Sequence, residues 1–361
     1  MRKTSLNTPT IADVARECGV GAMTVSRVVN GGNSVSLATA ARVRAAIKKL
    51  GYEPNEAARI LKGQAARTIG LIVPDLADSF FAICAHAVQE TAAKCGYMTL
   101  LLASERDRAS ETQELAMMKA RNVAGLLIVP SSPSSVGPLQ QFRARGTPVV
   151  LLDRTFPGLD AGVVMVENQQ GAQRAVSHLL DHGYRSIICV GYDRQYNSIA
   201  LRISGYEKEM NEAGLKPQFI LADKGSTISS LLLERLRSIK PPAALFTLNN
   251  VTTKHALHAL QREGIQVPEE FAIVGFDDFE TASLLAVPLT AVRQPAVQLG
   301  RSAVRLLLDR IHAGSSDASH FEARITLPTE LIIRRSCGCE PSLNRVRTAS
   351  SRRHRRSVAA K

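Results

Sequence analysis

Thr10–Lys62 reads TIADVARECGVGAMTVSRVVNGGNSVSLATAARVRAAIKKLGYEPNEAARILK, and the architecture of the chain follows from it. Thr10 is placed to cap a helix, with Asp13 three residues on as the reciprocal acid. Ile11, Val14, Ala15 and Cys18 then fall at helical spacing on one face. Gly19 and Gly21 interrupt that pattern, and Met23 to Asn30 restart it with Val25, Val28 and Val29 turned inward. Thr24, Ser26, Arg27 and Asn30 are left facing outward, so the second helix carries hydrogen-bonding groups and no bulky apolar side chain on its free face. Two short helices separated in this way predict a helix-turn-helix, whose second helix enters a major groove. A third helix over Leu37–Leu50 brings Val43, Ile47 and Leu50 to a small three-helix core.

Charge supports a nucleic-acid partner at one end only. Of the formal net charge of +13, residues 1–67 hold 11 Lys/Arg against 4 Asp/Glu, residues 336–361 hold 7 against 1, and the stretch between holds 27 of each. A basic head on a neutral body suits contact with phosphates through the head. At 361 residues with 45% hydrophobic content, the chain is long enough for more than one cored domain. Met1-Arg2-Lys3 leads into no apolar run, and no segment approaches the ~20 apolar residues of a membrane helix, so a cytoplasmic protein with no membrane partner is expected. The six cysteines (18, 84, 95, 189, 337 and 339) are expected as reduced, buried thiols. Cys337-x-Cys339 is too close for an unstrained disulfide and shows no partner ligands for zinc, so neither a metal nor a cofactor is expected.

Three words at the N-terminus carry a resemblance. Thr10-Ile11-Ala12-Asp13-Val14-Ala15, Thr24-Val25-Ser26-Arg27-Val28-Val29-Asn30 and Leu50-Gly51-Tyr52-Glu53-Pro54-Asn55, in this order and spacing, resemble the lactose/galactose repressor (LacI/GalR) family of transcription regulators. By match with that family, Ala22, Met23 and Arg27 face base edges. Arg27 can make the bidentate bond to guanine O6 and N7. Ala22 and Met23 have no hydrogen-bonding side chain and depart from the polar residues common there, as Gly21 departs from serine. These departures leave the half-site preference open, while a glycine still permits the helix start. Thr10, Thr24, Ser26 and Asn30 are assigned to phosphate or backbone positioning, with packing as the alternative for Thr24.

The segment Pro54–Gly63 reads by itself as a linker with helical propensity, too short to be a stable helix alone. The resemblance implies more: a hinge helix that folds on operator DNA, places Asn55, Ala58 and Lys62 against it, and wedges Leu61 into the minor groove. The expected organisation is a headpiece over 1–53, a hinge over 54–67, a two-lobed core over 68–339 and a basic tail over 340–361. The tail has no leucine heptad and reads as disordered, either loosely attracted to DNA or without function.

From Ile69 onward the pattern is α/β. Apolar runs at Ile69–Pro74, Met98–Ala103, Gly125–Pro130 and Pro148–Leu152 alternate with helical stretches at Phe80–Cys95, Thr112–Arg121 and Val136–Arg145. A second series has strands at Ser186–Gly191, Phe219–Ala222, Ala243–Leu248 and Phe271–Phe276, with helices at Gln169–His182, Leu201–Ala213, Thr227–Ser238 and Thr253–Glu263. Two such series predict two doubly wound lobes of parallel sheet. Leu289–Gln294 and Ala323–Ile333 are expected to cross back between lobes, with the helix Ala296–Ile311 between them. Words such as Gly275-Phe276-Asp277-Asp278 and Gln294-Pro295 resemble the same family, whose core is periplasmic-binding-protein-like.

Ligands of such lobes sit at the carboxyl ends of strands. Asp75, Asp78, Phe80, Phe81, Asp153, Asn249, Asn250, Asp277 and Asp278 all follow predicted strands. Carboxylates and amides around an aromatic ring suit a sugar. The resemblance selects Phe80, Phe81, Asp153, Ser198, Arg202, Asn249 and Asp277 as lining the effector cleft, with Tyr196 nearby and Arg202 as a bidentate clamp. Phe80 and Phe81 have the alternative of simple core residues, and one of Asp75 and Asp78 is expected to cap a helix. Asn250 replaces an acid common in the family and is given no role. The function implied is an operator-binding homodimer, commonly a repressor, controlled by a small molecule. That effector is a carbohydrate, or alternatively a purine, nucleoside or phosphorylated metabolite. A sugar-processing enzyme and a secreted sugar-binding protein are the rival classes. The chain lacks phosphate-loop, nucleophile-elbow and metalloprotease words, which argues against the first, and carries Thr10–Lys62, which argues against the second.

Overall fold

The computed structural model describes residues 9–29, 35–52, 67–131, 136–156, 158–159, 161–192, 196–222, 225–313 and 323–340. Asn30, the hinge residues Asn55, Ala58, Leu61 and Lys62, and the tail beyond Glu340 lie outside them. The chain divides into two compact units, Met1–Ala66 and Arg67–Lys361.

In the first unit, α1 (Ile11–Cys18) opens on the expected capping box. The Asp13 amide donates to the Thr10 hydroxyl, and the Asp13 carboxylate accepts the Thr10 amide at 2.9 Å. Gly19, at φ 63°, ends the helix in the left-handed region. Then α2 (Ala22–Val29) and α3 (Leu37–Leu50, capped by Ser36) follow. Val14, Val25 and Val43 are fully buried against Ala15 and Ala46, while Ile47 and Leu50 only pack at the edge of this core. The third helix therefore presents small residues inward, so three short helices approach closely.

The second unit holds two six-stranded sheets. The first lobe contains β1 (Thr68–Val73), β2 (Met98–Ala103), β3 (Gly125–Ile128), β4 (Val149–Leu152) and β5 (Gly162–Val166), with α4 (Ser79–Lys94), α5 (Arg108–Ala120) and α6 (Val136–Ala144). The second contains α7 (Asn168–Asp181), β6 (Ile187–Tyr192), α8 (Asn197–Glu212), β7 (Gln218–Ala222), α9 (Gly225–Leu236), β8 (Ala243–Thr247), α10 (Asn250–Arg262), β9 (Phe271–Phe276) and β10 (Thr290–Arg293). The chain then crosses back through α11 (Ala296–Ala313) and β11 (Arg324–Leu327) to the first lobe, and through β12 (Glu330–Ile332) to the second. Sheet orders are β11-β5-β4-β3-β1-β2 and β12-β10-β9-β8-β6-β7, all parallel except β12 against β10.

The predicted late crossings hold, and β5 is an addition: a five-residue apolar run carries little periodic signal of its own. Three helices begin earlier than their apolar periodicity does. Asp107 caps α5, Tyr196 precedes α8, and Asn249 caps α10. These early starts place Asn197, Ser198 and Asn250 in first turns, at strand ends.

Each lobe has one very close helix pair. A Cβ on Gly205 of α8 would strike the Gln169 carbonyl at the start of α7, and one on Gly300 of α11 would lie 2.7 Å from the Cys84 carbonyl of α4.

The cysteines correct two expectations. All six are free, but only Cys84, Cys189 and Cys337 are buried, and Cys95 is exposed. Cys337 and Cys339 do not lack partners either. The segment after β12 is held to β9 by the Ile273 amide donating to the Ser336 carbonyl at 2.8 Å, and it brings both thiols beside His178 and His182 of α7. Those ligands lie 157 residues away between His182 and Cys339, beyond the reach of any spacing rule. Among the described residues, no helix is long and apolar enough to cross a membrane.

Candidate ligand cleft and nucleic-acid interface

Carboxyl ends of the strands of both lobes converge on one set of polar side chains. In the second lobe its centre is Arg202, buried in the second turn of α8. Its Nε donates to Asn168 Oδ1 (2.8 Å), and its Nη1 donates to the Leu248 carbonyl (2.7 Å) and to Asp277 Oδ2 (3.3 Å). The guanidinium carbon lies 3.8 Å from the centre of the Phe276 ring. Asp277 sits just after β9 at φ 72°, a left-handed position that a non-glycine residue keeps only when its surroundings hold it. Gln294 donates to its other oxygen. Burial raises the Asp277 carboxyl above the usual carboxylate range, against the lowering pull of Arg202 and Gln294.

In the first lobe, Asp153 follows β4 at φ 62°, and its neighbour Arg154 is buried with it. Arg154 Nε lies 3.4 Å from Asp153 Oδ2, and Nη1 donates to the Pro130 carbonyl at 3.2 Å. The same guanidinium covers the Tyr196 ring of the second lobe at 3.9 Å. Burial holds the Arg154 guanidinium below its usual value, and Asp153 opposes that shift. Asp78 caps α4 through the Phe80 amide (3.1 Å), pairs with Arg106 (3.2 Å), and accepts from Asn250 Nδ2 across the lobes at 2.8 Å. Asp78–Asn250 and Arg154–Tyr196 are thus two direct links between lobes.

Several buried polar atoms of this cluster have no hydrogen-bond partner: Asp153 Oδ1, Asn197 Oδ1, Asn250 Oδ1, Gln294 Oε1 and Arg154 Nε. Burying a polar atom unpaired costs about 1–3 kcal/mol, so orphans gathered at strand ends mark a place for a polar ligand. Four acceptors stand against one donor.

On the first unit, α2 exposes Ala22, Met23 and Arg27, with Met23 at 71% exposure. Arg27 Nη2 rests 3.9 Å from Met23 Sδ one turn back, so the thioether props the guanidinium on the free face. Thr24 and Ser26 are half-buried, and Thr10 is exposed at the N-terminus of α1.

Residues 10–55 match the bacterial regulatory proteins of the lacI family, and residues 176–337 match the periplasmic binding protein-like domain. The transcriptional regulator DegA of Bacillus subtilis (strain 168) is 30% identical over 339 residues, covering 91% of this chain and 97% of that protein. The transcriptional repressor PurR of Haemophilus influenzae (strain PittEE) is 33% identical over 337 residues, covering 91% of this chain and 98% of that protein. This chain belongs to the LacI family. Among solved structures of that fold, the Lac repressor dimer bound to operator and the anti-inducer ONPF has a TM-score of 0.80 at 25% identity, over 92% of this chain and 99% of that one. The regulator CelR in complex with cellobiose has a TM-score of 0.65 at 28% identity, over 91% and 99%. As a LacI-family protein, the chain is a DNA-binding transcription regulator.

The structure sorts the LacI-type cleft residues read from the sequence. Asp153, Tyr196, Arg202 and Asp277 come together. Ser198 is buried beside them in the first turn of α8. Phe80 and Phe81 meet edge to face at 5.1 Å and both belong to the first lobe's core, with Phe80 also lining a groove of about 560 Å³ beside Asp277 and Gln294. Two roles are corrected. Arg202 spends Nε and Nη1 within the protein, so it is not a free bidentate clamp. Asn249 Oδ1 accepts the Thr252 amide at 2.8 Å as the cap of α10, and the amide facing the other lobe is that of Asn250. The sequence reading gives Arg154, Asn197 and Gln294 no role in the cleft, although Arg154 directly follows a chosen aspartate and Gln294-Pro295 is a family word.

Proposed function

We propose that the cleft takes a polyhydroxylated ligand, a sugar or sugar derivative, and that its occupancy sets the operator affinity of a homodimeric repressor. The four unpaired buried oxygens of Asp153, Asn197, Asn250 and Gln294, against one unpaired N–H, carry this reading. They call for a ligand richer in donors than acceptors need be, and sugar hydroxyls supply several from one small ring. Arginines already cover faces of Tyr196 and Phe276, which takes away sandwich positions for a planar base. Purine sensing is the second reading, favoured by the 33% identity to PurR.

Coupling runs through the lobes. A ligand that replaces or reinforces Asp78–Asn250 and Arg154–Tyr196 changes the lobe arrangement, and with it the free energy of folding residues 54–67 on DNA. Arg27 reads a guanine, Ala22 and Met23 give apolar contacts, and Thr10, Thr24, Ser26 and Asn30 position the phosphates. Asn55, Ala58, Leu61 and Lys62 act at the hinge, with Leu61 as the minor-groove wedge. Two half-sites require two copies of the headpiece, hence the dimer.

The test is calorimetric titration of the purified protein with sugars, sugar acids, nucleosides and purines, followed by operator binding with and without the hit. A saturable sugar that shifts operator affinity, and whose binding weakens in Asn250→Ala, supports the reading. Binding of a purine alone overturns the ligand class and leaves the regulator. In parallel, Arg27→Ala should cost ~1–3 kcal/mol of operator preference per half-site, and an unchanged preference over random DNA rejects its base contact.

A further inference from the structure

At the opposite end of the second sheet from the cleft lies a cluster that neither ligand binding nor DNA binding uses. His178 lies in the last turn of α7 and His182, four residues on, is its C-cap, so the two imidazoles lie side by side at the end of that helix, with ring centres 4.5 Å apart. Cys337 and Cys339 flank Gly338, whose φ of 97° reverses the chain so that both sulfurs face that helix. The four ligand atoms all lie within 4.8 Å of one another. His182 Nε2 is 2.9 Å from Cys339 Sγ, and His178 Nε2 is 3.7 Å from the same sulfur.

We propose that His178, His182, Cys337 and Cys339 form a tetrahedral Cys2His2 site for zinc, which ties the end of the core to α7. Around a zinc ion, thiolate and imidazole donors sit ~3.3–3.8 Å from one another, given bonds of about 2.3 and 2.0–2.1 Å. The observed cluster brackets that separation, so closure needs side-chain adjustment and no backbone rearrangement. Two soft sulfurs and two imidazoles exclude the oxygen-seeking calcium and magnesium and favour zinc. Binding converts two thiols to thiolates and releases two protons to solvent, which leaves the occupied site neutral. An outer contact is already in place: Thr290 Oγ1 donates to Cys337 Sγ at 3.1 Å and accepts the Arg334 amide at 2.8 Å. Thr290 opens β10, so the ion also braces a strand that leads into a crossing between lobes.

The direction of β12 explains the location. Parallel strands end at the cleft, but β12 runs antiparallel to β10 and leaves from the other end of the sheet, where α7 turns into β6. The first lobe's last strand, β11, is parallel to β5 and makes no such return.

The experiment uses the full chain without an added affinity tag, grown in zinc-supplemented medium. Elemental analysis should find one zinc per chain. After exchange with cobalt(II), the protein should show the intense visible bands of a tetrahedral ion and a near-ultraviolet thiolate-to-cobalt band. Cys339→Ser, at a half-buried position, and His182→Gln, at an exposed one, should each lose those bands and weaken zinc binding at least tenfold. A chelator should lower the melting temperature of the parent protein and leave these variants unmoved, with operator binding retained as proof of folding. Zinc well below one per chain and equal in parent and variants overturns the site. So does a weak, octahedral cobalt spectrum, or a thiol count that shows Cys337 and Cys339 joined to each other. Should a variant fail to fold, the zinc count and cobalt spectrum of the parent protein decide alone.

Discussion

Asp153 and Asp277 occupy the same place in the two lobes. Each follows the third strand of its sheet, each is buried in the left-handed region, and each donates its amide to the carbonyl of the adjacent strand at 2.9 Å, Val164 for Asp153 and Val292 for Asp277. Their carboxylates differ. Both oxygens of Asp277 are engaged, one by Arg202 and one by Gln294. Asp153 meets only Arg154, without a hydrogen bond, and one of its oxygens is orphaned. Equivalent backbone positions therefore serve different ends: Asp277 builds the wall of the cleft, and Asp153 is left for what enters it. Asp278, one residue on, sharpens the contrast. Burial would raise its carboxyl, but hydrogen bonds from Arg334 and Arg293 outweigh that and hold it below the usual carboxylate range.

The strongest way to break the comparison is Asp277→Ala. It leaves the Arg202 charge buried without its partner and should cost about 3–5 kcal/mol in urea unfolding. A loss below about 1 kcal/mol would show that Asp277 is not structural. The two glycine contacts come next. Gly205→Ala and Gly300→Ala should each cost ~1–3 kcal/mol by thermal unfolding, Gly205 the more because its neighbour is a tighter backbone carbonyl. The reverse order would mean that the first lobe tolerates less separation of its helices.

Asp153→Asn removes the carboxylate beside the buried Arg154. That pair lacks a hydrogen bond, so the change should cost less stability than Asp277→Asn while weakening the ligand about tenfold, roughly 1.4 kcal/mol by titration. Equal losses of stability in Asp153→Asn and Asp277→Asn would erase the distinction. The smallest effect belongs to Glu114 in α5, pushed up to about 7 by burial and then by Glu111 and Glu105. A carboxyl raised on folding binds its proton more tightly in the native state, so its contribution is fully present below the unfolded value near 4.3 and is lost as pH rises to about 7. Glu114→Gln should therefore stabilise the protein at pH 8 by on the order of 1 kcal/mol and do nothing near pH 4. A flat difference across that range would place the effect elsewhere.

Much of the cleft was legible because a strand end is a local feature. Asp153 and Asp277 each follow an apolar run, and both reached the cleft. Which of two adjacent residues faces inward was not legible. Asn249 and Asn250 have the same side chain, and only the start of α10 makes one a cap and turns the other toward Asp78. For Arg202 the sequence suggested a bidentate clamp, and the structure instead commits its Nε and Nη1 to Asn168, Leu248 and Asp277, partners that come from three distant segments.

The sequence by itself determined the helix-turn-helix, the alternation of strands and helices, and membership of a regulator family, since capping, periodicity and short words are encoded within a few residues of one another. Only the tertiary structure decided which polar atoms are paired and which are left waiting. It also joined the i, i+4 histidines of α7 to a Cys-Gly-Cys turn near the end of the core. Satisfaction and coordination depend on distances across the fold, and the direction of one edge strand, β12, set those distances for the four side chains of the zinc site.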